Sequence, residues 1–162
     1  MIDENLQTLG HGFFWQDLEI GQRFKTYRRT LTEADLVGFI NCTGMLEALF
    51  IDAEYSSTFG AVNGRLVPGA LTYSLIEGML FQTMIQGTGL AMLEVQQKAL
   101  KPVLVGDSIW AAVEVTNIKP TSSKNRAVVT SQIDVFNQRG EVVLAYCIVR
   151  LLAGRDGESI AA

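Results

Sequence analysis

The sequence predicts an α+β domain in which an antiparallel sheet wraps one long buried helix. Three observations point there: one helix-length segment that is apolar on nearly every face, a C-terminal half made of β-branched-rich runs joined by short turns, and a length that suits one domain. At 162 residues the chain is long enough to bury about 68–70% of its unfolded surface in one core.

In chain order, Gly21 to Thr30 reads as a strand and Thr32 to Thr43 as a helix. Thr32 with Asp35 three residues on is a weaker relative of the capping box, and it sets a carboxylate at the helix N-terminus. Gly44 to Leu66 is irregular, with one short helix expected over Asp52 to Ser57; an aperiodic stretch this long is usually functional in a compact domain. Leu66 to Ile85 approaches the ~20 residues of a membrane span, but Pro68, Glu77 and Gly78 interrupt it and only Arg65 flanks it. It therefore reads as a buried helix over about residues 68–86, with Pro68 in its first turn and Gly87 and Gly89 ending it. Four strands follow: Leu90 to Leu100, Ser108 to Lys119, Asn125 to Asn137 and Glu141 to Leu152, separated by turn compositions such as Gln138-Arg139-Gly140. Within the second, Val113, Val115 and Asn117 share one face. The chain from 154 to 162 reads as a frayed tail.

Charge and composition exclude some partners. Lys plus Arg number 13 against 17 Asp plus Glu, a net charge of -4, so no basic face exists for nucleic acid. No segment reads as a membrane anchor. The single histidine, His11, rules out mechanisms that need two, and no Cys/His spacing suits a metal. Cys42 and Cys147 lie in apolar stretches of a chain that starts Met1-Ile2-Asp3-Glu4 without a cleavable signal. Both are expected to be core filler in a reducing, cytoplasmic setting.

Five runs, in order, carry a resemblance: Asp17-Leu18-Glu19-Ile20-Gly21-Gln22, Thr32-Glu33-Ala34-Asp35, Gly64-Arg65-Leu66-Val67-Pro68-Gly69-Ala70-Leu71-Thr72, Lys101-Pro102-Val103-Leu104-Val105-Gly106-Asp107-Ser108, and Asn137-Gln138-Arg139-Gly140-Glu141-Val142-Val143. In these the chain resembles the MaoC-like dehydratases, or (R)-specific enoyl-CoA hydratases, from about Phe14 to Leu152. The resemblance implies a single hot-dog domain over 14–153, preceded by an extension at 1–13, dimerised through its sheets. It also implies an acyl-CoA or acyl-carrier thioester as substrate or ligand and no cofactor beyond that coenzyme A group.

The hydratase motif of that family, Thr-Gly-Asp-x-Asn-Pro, an aliphatic residue, then His, aligns with Thr43-Gly44-Met45-Leu46-Glu47-Ala48-Leu49-Phe50. Met45 stands for the aspartate and Phe50 for the histidine, and neither can exchange a proton. The resemblance makes the Gly69 amide the oxyanion donor; Pro68 cannot donate, so Gly69 and Ala70 supply whatever the helix start supplies. Glu47, two residues past Met45, is one candidate acid or base. Glu77, the one acid of the central helix and eight residues past Gly69, is another, about 12 Å along the axis. Asp52 and Glu54 suit a helix start. Arg65 has a loop carboxylate such as Asp52 or Glu54, or the substrate, as partner. Tyr55 and Tyr73 could donate to a ligand, and Lys101, Lys119, Lys124 and Arg126 could meet coenzyme A phosphates. Ligand contacts are thus expected from Met45, Phe50, Arg65, Ala70 and Tyr73.

Three readings stay open: a divergent hydratase/dehydratase, a thioesterase using Glu47 or Glu77, and a non-catalytic acyl-CoA-binding protein or inactive half of a heterodimer whose partner supplies the missing pair. A homodimer or higher homo-oligomer is expected, because a sheet wrapped over one helix leaves edges and an apolar outer face. Ile118, Val129 and Val143 are the outward positions expected at the contact.

Overall fold

The computed structural model describes residues 8–155. A 3-10 turn, Trp15–Asp17, precedes β1 (Arg23–Lys25), β2 (Arg29–Thr30), α1 (Glu33–Thr43), α2 (Ala48–Ile51), α3 (Tyr55–Thr58), α4 (Gly69–Phe81), β3 (Gly89–Ala99), β4 (Ser108–Pro120), β5 (Arg126–Phe136) and β6 (Val142–Ala153). The sheet is antiparallel throughout, in the order β1-β4-β5-β6-β3, with β2 also paired to β4. The four long strands fall within a residue or two of their sequence-based limits, because period-two alternation and turn residues are local signals.

One row across the sheet is Phe24, Val113, Ile133 and Tyr146, each opposite the next. Val113, Ile133 and Tyr146 are buried. In the same alternation Val129 and Val143 point into the core, so of the expected outward positions only Ile118 is half-exposed. A bulge between Val115 and Asn117 breaks the alternation, which leaves Asn117 exposed rather than facing in with Val113 and Val115.

The expected strand from Gly21 to Thr30 is instead two short ones. At Thr26 the side-chain hydroxyl accepts the Ala111 amide (2.9 Å), a local substitute for a ladder bond that ends β1. α1 begins as its sequence predicts, since Thr32 Oγ1 accepts from the Asp35 amide and Asp35 reaches back to the Thr32 amide. Between α1 and α4 the single short helix of the sequence reading is replaced by two one-turn helices. Glu47 caps the first, and Asp52, whose carboxylate accepts the Glu54 amide (2.9 Å), starts the turn into the second.

α4 stops at Phe81, short of the expected Gly87. The amides of Met84 and Ile85 both fold back onto the Leu80 carbonyl, and the carbonyls of Met84 and Gln86 accept from Phe13 and Gly12, each at 2.8 Å. Buried Met84 and Ile85 thus serve the core as a loop. Nor is α4 buried on every face: Leu71, Ile76 and Leu80 are, whereas Phe81 is 54% exposed, because this chain's sheet covers only one side of the helix. Both chain boundaries shift as well. Gly12 and Phe13 are bonded into the domain, and Gly154 is held by the Asn125 carbonyl (2.7 Å). Arg155 is paired with Asp17 and lies over the Phe14 ring, so neither residue is frayed; 156–162 lie outside the described residues. Cys42 is exposed rather than core. No helix among the described residues is long and apolar enough to cross a membrane.

Candidate functional site

The start of α4 is pinned from outside the helix. The Val67 amide donates to the Val103 carbonyl and the Val105 amide to the Arg65 carbonyl, both at 2.9 Å, with Leu66 bridged to Leu104. Gly64 permits the turn into this ribbon, at φ +118, where a side chain would be strained and would meet Leu104 at 3.0 Å. Pro68 then acts as N-cap without any side-chain bond, its carbonyl accepting the amides of Leu71 and Thr72. The amides of Gly69 and Ala70 are the first two of the helix and have no acceptor within it.

A cavity of about 350 Å³ opens at this point, lined by Gly69 and Thr72 among apolar residues such as Val67, Leu100 and Leu144. Thr72 is only 2% exposed, yet its hydroxyl has no partner among the described residues. A buried hydroxyl left unpaired is costly. The glycine itself is informative: a Cβ at Gly69 would meet nothing within 4 Å, so close packing is not why glycine stands there.

A second cavity, about 550 Å³, flanks the other half of α4 and is lined by Tyr73, Glu77, Arg150 and the β3 residues Leu90 and Met92. Glu77 and Arg150 are 7% and 6% exposed. Arg150 Nη2 donates to Glu77 Oε2 (2.5 Å) and the Tyr146 hydroxyl to Glu77 Oε1 (2.7 Å). Burial, and then the Glu77 charge, push the Tyr146 hydroxyl far above the ordinary phenol range, and burial raises that of Tyr73. Both tyrosines therefore remain proton donors. Their rings meet edge to face at 5.1 Å, which fixes Tyr73 against the strand.

The segment aligned with the hydratase motif stands apart from both. Met45, Glu47 and Phe50 line neither cavity. Glu47 is spent on its own helix, its Oε2 accepting the Leu49 amide (2.7 Å), and it is exposed. Phe50 is half-buried against the core, and its carbonyl accepts from Arg65. Arg65 pairs not with Asp52 or Glu54 but with Glu33 at the start of α1 (2.8 Å), so it clamps α1 to the end of α2. Of the basic residues considered for phosphates, Lys101 is engaged by Glu141 (2.6 Å).

The structure therefore joins Gly69 with Thr72, and Tyr73 with Glu77, and separates both from Glu47. Tyr146, Arg150 and Thr72 escaped the sequence reading. Arg150 did leave a signal, as the one charge in the apolar strand Cys147-Ile148-Val149-Arg150-Leu151-Leu152, matching the one acid of the apolar helix.

The comparisons agree with this architecture. Residues 16–136 match the family model described as a MaoC like domain. The chain is 29% identical over 137 residues to the (R)-specific enoyl-CoA hydratase of Aeromonas caviae, covering 84% of this chain and 97% of that one. Among solved structures, a MaoC-like dehydratase from Rhodospirillum rubrum superposes with a TM-score of 0.74 at 27% identity, over 89% of this chain and 99% of the other. A Mycobacterium tuberculosis protein described as having a double hotdog fold superposes with a TM-score of 0.85 at 18% identity, over 93% of this chain and 47% of that chain, so its fold contains this one as about half. With its antiparallel sheet on one central helix, its matched model and these relatives, the chain is a single α+β hot-dog domain and belongs to the MaoC-like family.

Proposed function

We propose that this protein binds an acyl-CoA or acyl-carrier thioester at the start of α4, on the hydratase/dehydratase side of the family's chemistry but without its usual Asp/His pair. The observation that carries the reading is the open glycine. The amides of Gly69 and Ala70 lie at the positive end of a 13-residue helix, and open space lies before Gly69, which suits the carbonyl oxygen of a thioester.

A second reading, binding without turnover, is favoured by the aligned motif itself. Met45 and Phe50 hold no exchangeable proton, and Glu47 is bonded to the Leu49 amide. A well-placed general acid or base contributes roughly 10²–10⁴-fold, so hydration of crotonyl-CoA is expected to be weak or absent. The test is a panel of enoyl- and acyl-CoAs with purified protein, following double-bond absorbance and free thiol together. Slow loss of the double bond supports the divergent hydratase; binding with neither signal supports the second reading; thiol release would move the assignment to a thioesterase, with Glu77 as its first suspect. Turnover of many per second on crotonyl-CoA would overturn the proposal that proton transfer has been lost.

We also propose a homodimer. Among the described residues β3 is an edge of the sheet, with β6 on one side only, and it exposes Leu90, Met92 and Leu93, the kind of edge that soluble proteins cover.

A further inference from the structure

The cavity between α4, β3 and Arg150 combines apolar walls with a charged floor. Phe81, Ile85, Leu90 and Met92 form the walls. Glu77 and Arg150, both more than nine-tenths buried, form the floor. Their hydrogen bonds are unequally filled. Both carboxylate oxygens of Glu77 are taken, one by Tyr146 and one by Arg150. A guanidinium carries five N–H donors, and among the described residues the one hydrogen bond of Arg150 is that to Glu77. Among the described residues the Tyr73 hydroxyl, also on this cavity, reaches only the Met92 sulfur at 3.5 Å, a weak acceptor.

The floor is thus rich in donors and short of acceptors. Filling the cavity with bare hydrocarbon would strip water from those donors and put nothing in its place, which is unfavourable. A ligand oxygen at the same depth replaces the lost water bond, and sites built to hydrogen-bond a polar group reject analogues that lack it.

We propose that this cavity receives the far end of the acyl chain and selects chains that carry an acceptor oxygen there, with Arg150 and Tyr73 donating to that oxygen and Glu77 holding Arg150 in position. The inference rests on the thioester reading of Gly69 and Ala70. Glu77 lies eight residues along the helix from Gly69, about 12 Å at 1.5 Å per residue, a span that an acyl chain of medium length covers. A hydroxyl or oxo group and a terminal carboxylate share the required chemistry.

The experiment is calorimetric titration of the full chain with octanoyl-CoA, 8-hydroxyoctanoyl-CoA and the coenzyme A monothioester of octanedioic acid. At least one oxygenated ligand is expected to bind about tenfold or more tighter than octanoyl-CoA, the lower end for a hydrogen bond to a charged group. The two oxygenated arms tell a neutral from an anionic terminus. Arg150→Met alone strands the Glu77 charge and is expected to unfold the protein. The apolar variant Glu77→Leu/Arg150→Met/Tyr146→Phe/Tyr73→Phe removes the ion pair and both hydroxyls, and in it the preference should reverse toward octanoyl-CoA. If octanoyl-CoA binds wild-type protein as tightly as both oxygenated ligands, or if the preference persists in the quadruple variant, the inference is wrong while the thioester reading stands. If none of the three ligands binds, the thioester reading falls and this inference with it.

Discussion

Two glycines separate structural from functional demand at the level of single residues. At Gly12 a Cβ would sit 2.5 Å from the Met84 carbonyl oxygen, and the backbone there cannot retreat without breaking the bonds that tie residues 12 and 13 to Gln86 and Met84 in the loop after α4. Gly12→Ala is therefore expected to lower stability by about 1–3 kcal/mol, read as a fall in Tm. At Gly69 the added methyl meets nothing within 4 Å among the described residues, so Gly69→Ala should leave Tm unchanged or raise it, with a gain bounded by about 1 kcal/mol of helix propensity. The same methyl occupies the approach to the first helical amides, and acyl-CoA affinity should drop. An unchanged affinity in a folded Gly69→Ala protein would remove those amides from the ligand site.

At the scale of elements, the β5–β6 hairpin carries the clearest pH signature. Glu141, at the turn, accepts hydrogen bonds from Lys101 (2.6 Å), Asn137 and Arg139 (both 2.8 Å). These, Lys101 foremost, hold its carboxyl down from the ordinary 4.5 to about 2. A carboxyl depressed in the folded state contributes stability above its unfolded value and loses it as pH falls through the folded one. Amide protection in this hairpin, taken relative to the intrinsic exchange rate at each pH, should therefore fall between about pH 4.5 and 2, and Glu141→Gln should flatten that dependence. An equally steep profile in the variant would assign the acid sensitivity to other groups. α4 presents the opposite case, an element whose length its own residues do not set. Thr83 and Met84 would continue a helix, and it is the N-terminal segment, bonding to the Met84 and Gln86 carbonyls, that draws them into a loop.

For the whole molecule, the decisive feature is an incomplete enclosure. The sheet covers one side of α4 and leaves Phe81 exposed on the other, beside an edge strand whose outer side has no strand among the described residues. A second copy placed along β3 covers both. Light scattering at micromolar concentration is expected to give a dimer, and Leu93→Lys, which places a charge on that edge, should shift it toward monomer. A wild-type monomer would refute the proposed pairing.

The residues whose fates are local were legible in the sequence. The four long strands came from alternation and turn chemistry, and α1 from Thr32 and Asp35. Nothing local says which partner a side chain will meet. Arg65 had Asp52 and Glu54 within reach of argument, and the fold chose Glu33, 32 residues away. Glu77 read as a lone acid on an apolar helix until the sheet brought Arg150, 73 residues on, to its carboxylate. Periodicity and capping are encoded in neighbouring residues, so the sequence alone determined α1 and the four long strands. The buried ion pair, the open face of Gly69 and the early end of α4 arise only when distant segments share one desolvated space, and those the tertiary structure decided.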